Sequence, residues 1–125
     1  MRYWVESSEL WIASEREVTW HGWPDGKPVA QAVDIPGSEE ALVLLNSDAG
    51  PRTPSGDLKG WPNLVRVRPD GQVVWRVEAG TIAGDRDWWI AVEATAAGIW
   101  ATTWSCHRKE VDAGSGRILN SFFTK

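Results

Sequence analysis

The stretch from Trp61 to Glu78, WPNLVRVRPDGQVVWRVE, decides the fold class. On its first arm Leu64, Arg66 and Arg68 alternate with Val65 and Val67, and on its second Val73, Trp75 and Val77 alternate with Val74 and Arg76. Alternation of this kind sends successive side chains to opposite faces, which is the period of a β-strand. Between the arms, Pro69 presets φ at the first corner of a turn, and Gly71 accepts the positive φ that a type I turn with a bulge requires. The stretch predicts an antiparallel hairpin.

Working outward, short β-type runs occupy most of the chain: Arg2 to Glu6, Leu10 to Ser14, Arg16 to His21, Val29 to Ile35 and Ala41 to Asn46 on one side. On the other side lie Trp88 to Thr95, Ile99 to Ser105, His107 to Val111 and Arg117 to Phe123. Only Glu39-Glu40 offers a helix start, and no stretch carries a helical stripe. Residues 47–60 are rich in Gly and Pro without apolar periodicity, so they read as the one long loop, with residues 79–87 as a second. At 125 residues the chain is expected to be a single all-β domain, residues 1–125, with at least eight strands.

Composition narrows the function classes. Thirteen Lys and Arg against 17 Asp and Glu give a net charge of −4 with no basic cluster, a poor surface for nucleic acid. Glu6 and Glu9 interrupt the N-terminus where a signal peptide needs an apolar core, and the longest aliphatic run, Ala41 to Leu45, is too short to span a bilayer. One cysteine, Cys106, allows no internal disulfide, so the expected location is cytoplasmic, with no membrane association. The outstanding number is ten Trp against one Tyr and two Phe. Indoles supply nearly all the large apolar surface of this chain, and each brings an N–H that needs a partner.

Turn glycines at Gly26, Gly71 and Gly116 are spaced by 45 residues each, the period of a four-stranded propeller blade. Val111-Asp112-Ala113-Gly114-Ser115-Gly116-Arg117-Ile118-Leu119 resembles the blade motif of quinoprotein-type (PQQ-like) β-propeller repeats, A-x-D-x-x-T-G-K-x-x-W. Asp112, Gly116 and Arg117 fit, and Ser115 stands for the Thr. Asp70 to Trp75 resembles the last half of the same motif, with Trp75 on the residue that in the family packs between neighbouring blades. Asn120 replaces that Trp in the last unit, Arg68 replaces the Asp in the middle one, and the first unit departs furthest. The chain also looks like short Trp-rich bacterial proteins of unknown function.

The resemblance implies a stack of small twisted sheets with Trp between them and carries no activity with it. Residues that hold a quinone in the family have no match here, so no cofactor is expected. Three blades cannot close a ring, and exposed edges must be capped, curled or paired. The expected architecture is therefore antiparallel meanders in about three blade-like units of 45 residues, or the same strands curled into a barrel or sandwich, with a homo-oligomer as one way to cover the edges.

The candidates for chemistry are few. Cys106 and His107 are adjacent on a predicted strand and would point to opposite faces, Cys106 inward with Trp100 and Trp104, so they do not form a nucleophile and base. His21 is the other histidine, and no metal-ligand spacing accompanies either one. Asp85-Arg86-Asp87 reads as a solvated turn with an internal ion pair. Ser55 and Ser115 lack a nucleophile elbow, and Gly50 to Gly56 lacks the Gly-Lys-Ser/Thr of a phosphate loop. No catalytic or metal site is expected.

The aromatic residues remain. Trp23 and Trp61 adjoin Pro24 and Pro62 beside loops, and Trp88-Trp89 must send one indole to each face of a strand. The reading is a non-enzymatic cytosolic interaction module, of the immunity-protein type in general description. It would bind a protein partner through Trp23, Trp61 and Trp88 with Asp85 and Asp87 nearby. A carbohydrate or small-ligand binding protein with a Trp-lined cleft is the alternative.

Overall fold

The structure, a computed structural model, describes residues 1–57, 59–78 and 88–123. Among them eleven strands form three antiparallel sheets, each a meander in chain order. Sheet 1 holds β1 (Arg2–Glu6), β2 (Glu9–Ala13) and β3 (Val18–Gly22). Sheet 2 holds β4 (Val29–Asp34), β5 (Ala41–Leu45), β6 (Leu64–Val67) and β7 (Val73–Arg76). Sheet 3 holds β8 (Trp89–Thr95), β9 (Gly98–Thr103), β10 (His107–Val111) and β11 (Ile118–Phe123). The sheets stay separate, as blades do, and do not merge into a barrel. Glu39-Glu40 starts no helix; the helical pieces described are two 3-10 turns, Pro24–Gly26 and Ser47–Ala49.

The hairpin of β6 and β7 closes as its sequence dictates. Gly71 takes φ of 83° and donates its N–H to the Arg68 carbonyl at 2.9 Å, and a bulge falls between Arg66 and Val67. Sheet 2 lies in the middle of the stack, and alternation along its strands divides the core in two. Ala41, Val43, Leu45, Val65 and Val67 meet Leu10 and Ile12 of sheet 1. Leu42, Leu44, Leu64, Trp75 and Val77 meet Trp89, Val92, Ile99, Ala101 and Val111 of sheet 3. That is why Ala41 to Leu45 is an unbroken apolar run: all five residues are buried, on alternate faces.

The bulges reveal which strands correspond. In each sheet the last hairpin has a bulge just before its turn: at Ile12/Ala13, at Arg66/Val67 and at Glu110/Val111. The pairs β4–β5 and β8–β9 carry a bulge near the start of their first strand, whereas β1–β2, β5–β6 and β9–β10 are continuous. Thus β1–β2–β3 correspond to β5–β6–β7 and to β9–β10–β11, and among the described residues sheet 1 has no counterpart of β4 or β8.

This register puts Trp20, Trp75 and Asn120 at one position, paired with Ile12, Arg66 and Glu110. Trp75 is 9 % exposed; its Nε1 donates to the Ala113 carbonyl at 2.8 Å and its ring lies against Gly116, where a Cβ would come within 2.5 Å of the ring. The Trp20 ring lies in the same way against Gly71 of sheet 2, where a Cβ would come within 2.3 Å of it. Each indole of one sheet thus seats on the glycine turn of the next. Gly71 and Gly116 hold equivalent places, but Gly26 does not: it sits in the 3-10 turn that links sheet 1 to sheet 2. The counterpart turn in sheet 1 is Ser14 to Glu17, which has no glycine.

Candidate tryptophan site

The link before β4, the loop between β5 and β6 and the start of β8 come together at one end of the sheets, and the Trp residues singled out from the sequence lie there. Trp23 is 50 % exposed on the link before β4. Two residues on, Asp25 forms an ion pair with Arg76 at the end of β7. The Arg76 guanidinium also donates to the Pro62 carbonyl at 3.3 Å and lies 6.0 Å from the centre of the Trp61 ring. Lys27, bonded to the Ala49 carbonyl at 3.3 Å, places its ammonium 5.9 Å from the same ring. Two cations close to one electron-rich ring are a favourable arrangement that keeps both charges near the surface.

Trp61 is half-buried and holds its own loop together. Its Nε1 donates to the Ser47 carbonyl at 3.1 Å, and its ring fills the space beside Gly50 where a Cβ would come within 2.3 Å. It forms an isolated parallel bridge with Trp88. Trp88 is half-buried while Trp89 is 2 % exposed, so the adjacent indoles divide between rim and core as strand geometry requires. The Trp88 ring stacks on Trp104 with centres 5.1 Å apart and planes 25° from parallel, and Trp104 is 55 % exposed. Asp85 and Asp87 lie outside the described residues.

Sequence reading missed Trp104, Arg76 and Asn63. Trp104 was expected inside a strand, but β9 ends at Thr103, and Trp104, Ser105 and Cys106 form a tight turn in which Cys106 takes φ of 66°. Cys106 is consequently exposed, which corrects the expectation that it shares a buried face with Trp100 and Trp104. The Ser105 hydroxyl lies 3.0 Å from His107 Nδ1 and 3.1 Å from the Thr103 hydroxyl, and the His107 ring meets the Phe123 ring edge-on. This staples the turn; among the described residues no carboxylate is hydrogen-bonded to His107 to orient it as a base.

Asn63 is fully buried and stitches sheet 2 to β8. Its Nδ2 donates to the carbonyls of Leu45 and Trp89, each at 2.9 Å, and its Oδ1 accepts the Trp89 N–H at 2.7 Å. Lys109, 2 % exposed, sets its ammonium 5.5 Å from the Trp89 ring beneath it. Among the described residues no three His, Cys, Asp or Glu side chains converge as metal ligands.

On the far face of sheet 1 is a different aromatic feature. Trp4, Trp11 and His21 sit side by side across the three strands, Trp11 and His21 with ring centres 4.3 Å apart and planes 10° from parallel, Trp4 and Trp11 at 6.2 Å. These rings face one another, so the row presents ring edges outward. Sugar stacking needs ring faces.

Comparison with known proteins agrees with the fold. Residues 7–123 match the family described as "Domain of unknown function (DUF7957)", and the chain belongs to it. No curated protein matches the chain. The structure is similar to the crystal structure of BamB from Moraxella catarrhalis, with a TM-score of 0.63 and 13% identity over 98% of this chain. The chain spans 32% of the length of that protein, so it corresponds to an arc of a propeller-like ring. At this identity the likeness concerns the fold alone.

Proposed function

We propose that the chain is a non-enzymatic interaction module of the cytoplasm that holds a protein partner at the tryptophan end of its stack. The observation that carries this reading is the Trp88–Trp104 stack, whose outer ring is more than half exposed although it is supported from beneath by Trp88 and the Trp61 bridge. An indole held rigid and yet exposed loses little entropy on binding and offers a large apolar face with one donor, the make-up of an interface hot spot. Trp23 adds a second exposed indole on the link before β4, and the net charge of −4 favours a basic partner. The carbohydrate alternative has less support, because the aromatic row on sheet 1, the extended one among the described residues, stands edge-out.

The test is capture from native lysate with the tagged chain, comparing wild type with Trp23→Ala/Trp104→Ala. The double variant is expected to keep its melting temperature within a few degrees, since both sites are exposed, and to lose the partner found with wild type. Equal capture by both proteins would remove this end as the binding site.

A further inference from the structure

A sheet edge offers a row of unpaired N–H and C=O groups, and soluble proteins blunt it with charge, proline, brevity or a covering element. Among the described residues five of the six edge strands carry such a device. β1 begins with Arg2 and ends with Glu6, β4 ends with Asp34 and lies between Pro28 and Pro36, β7 is short and ends with Arg76, and β8 carries Glu93. β3 is tied to sheet 2 by Thr19, whose hydroxyl donates to the Pro69 carbonyl at 3.0 Å. The sixth, β11, is ILNSFF, six residues without charge, proline or glycine, and it has β10 on one side and, among the described residues, no strand on the other. Its bulge against β10 lies at the start of the strand, where every sheet has one, and from Asn120 to Phe123 the pairing is regular. The same strand exposes Leu119, Phe122 and Phe123 by 54, 52 and 67 %, whereas no other described strand exposes more than one large apolar side chain. The Phe122 ring lies against Trp100 and the Phe123 ring against His107, so both are held in place by their own sheet.

We propose that β11 is a dimerisation edge whose occupant is β11 of a second copy of this chain, paired antiparallel. The strand is its own complement. A two-fold axis normal to the sheet at Ser121 sets Leu119 of each copy opposite Phe123 of the other and Asn120 opposite Phe122. Apolar side chains thereby meet across the new ladder, and no charge of the strand faces a like charge. One contact covers both the open backbone edge and the exposed apolar side chains, and joins the two four-stranded sheets edge to edge. Pairing of this kind extends sheet 3 in its own plane, so it makes no use of the polar face formed by Arg108 and Glu110. It is also separate from the Trp88–Trp104 stack and does not depend on the function proposed for that site.

Sedimentation of the full chain over a concentration series reads the dimer, and amide hydrogen exchange reads the edge. The wild type is expected to dimerise as concentration rises, and amides between Leu119 and Phe123 to exchange more slowly in the dimer than in the dilute monomer. Leu119→Lys/Phe123→Lys changes two exposed sites, so the melting temperature should stay within a few degrees while dimerisation weakens at least about tenfold. Ile90→Lys, at an exposed apolar site on the opposite edge of sheet 3, should leave the dimer unchanged. The exchange measurement uses the wild type alone and decides even where a variant unfolds. A wild type that stays monomeric, a dimer without added protection in β11, an undiminished dimer of the double variant, or equal loss in Ile90→Lys would each overturn the proposal.

Discussion

Sheets 2 and 3 have the same strand order and the same register, yet the faces they turn toward the next place in the stack are opposites. Leu42, Leu44, Leu64, Arg66 and Trp75 on sheet 2 correspond to Trp100, Thr102, Arg108, Glu110 and Asn120 on sheet 3. On sheet 2 the leucines and the tryptophan are buried against sheet 3, and Arg66 reaches across to donate to the Ala113 carbonyl at 2.7 Å. On sheet 3 the polar replacements satisfy one another. Arg108 pairs with Glu93 and lies over Trp100, and Asn120 donates to Glu110 at 2.7 Å. Face chemistry, with the backbone unchanged, marks where stacking continues and where it stops. Repeat proteins end their stacks with polar outer faces for the same reason.

The sharpest way to break this comparison is to remove the indole that joins the two sheets. Trp75→Ala is expected to cost about 3 to 5 kcal/mol in urea unfolding, the range for truncating a large buried aromatic; a cost under about 1 kcal/mol would mean that the indole does not hold the sheets together. Asn63→Leu comes next, at about 3 kcal/mol, because it orphans the buried Trp89 N–H and two carbonyls. A near-neutral result in the same titration would show that water replaces the side chain easily.

Gly116→Ala should cost about 1 to 3 kcal/mol, since the position combines φ of 77° with a ring where the methyl must go. Gly26→Ala provides the contrast: φ is positive there too, but nothing lies within 4 Å of the added methyl, so its loss should be the smaller. Equal losses at the two glycines would show backbone strain alone at work and no role for the seated indole.

The smallest effect concerns the joint between sheets 1 and 2, where the Tyr3 hydroxyl donates to the Glu39 carbonyl. Burial, followed by the charges of Glu40, Asp34, Glu39 and Asp70, pushes the Tyr3 phenol up to about 12 from its usual 10. The folded chain then holds this proton more tightly than the unfolded one, so the stabilisation is present below pH 10 and is lost as pH rises toward 12. Tyr3→Phe should flatten the fall in stability across that window, as followed by urea midpoints. An unchanged slope would remove Tyr3 as its source.

Much of this architecture was legible in the sequence because the decisive residues act locally. Alternation in Trp61 to Glu78, the Pro-Asp-Gly corner and the unbroken run from Ala41 to Leu45 each specify a strand or a turn without help from distant residues. The repeat was harder to read, because its units differ in length. Trp20 and Trp75 are 55 residues apart and Trp75 and Asn120 only 45, the difference arising where the long loop between β5 and β6 intervenes. Equal glycine spacing therefore drew Gly26 into a series to which it does not belong and hid Trp20, the true counterpart of Trp75. The tryptophan end was legible at Trp23, Trp61 and Trp88, which flank loops. Trp104 was hidden because its turn contains neither Gly nor Pro and reads as a continuation of β9.

The central claim is that four polar side chains on sheet 3, Thr102, Arg108, Glu110 and Asn120, stop the stack, and sedimentation velocity tests it most directly. Replacing Arg108, Glu110 and Asn120 by the apolar residues found at the matching places of sheet 1, as Arg108→Leu/Glu110→Ile/Asn120→Trp, restores a face built to receive a neighbour. The triple variant is predicted to keep its fold and to self-associate with rising concentration through that exposed apolar patch, while the wild type shows no association through this face under the same conditions. Identical sedimentation of the two proteins, or association of the wild type that the triple variant abolishes, would contradict the account.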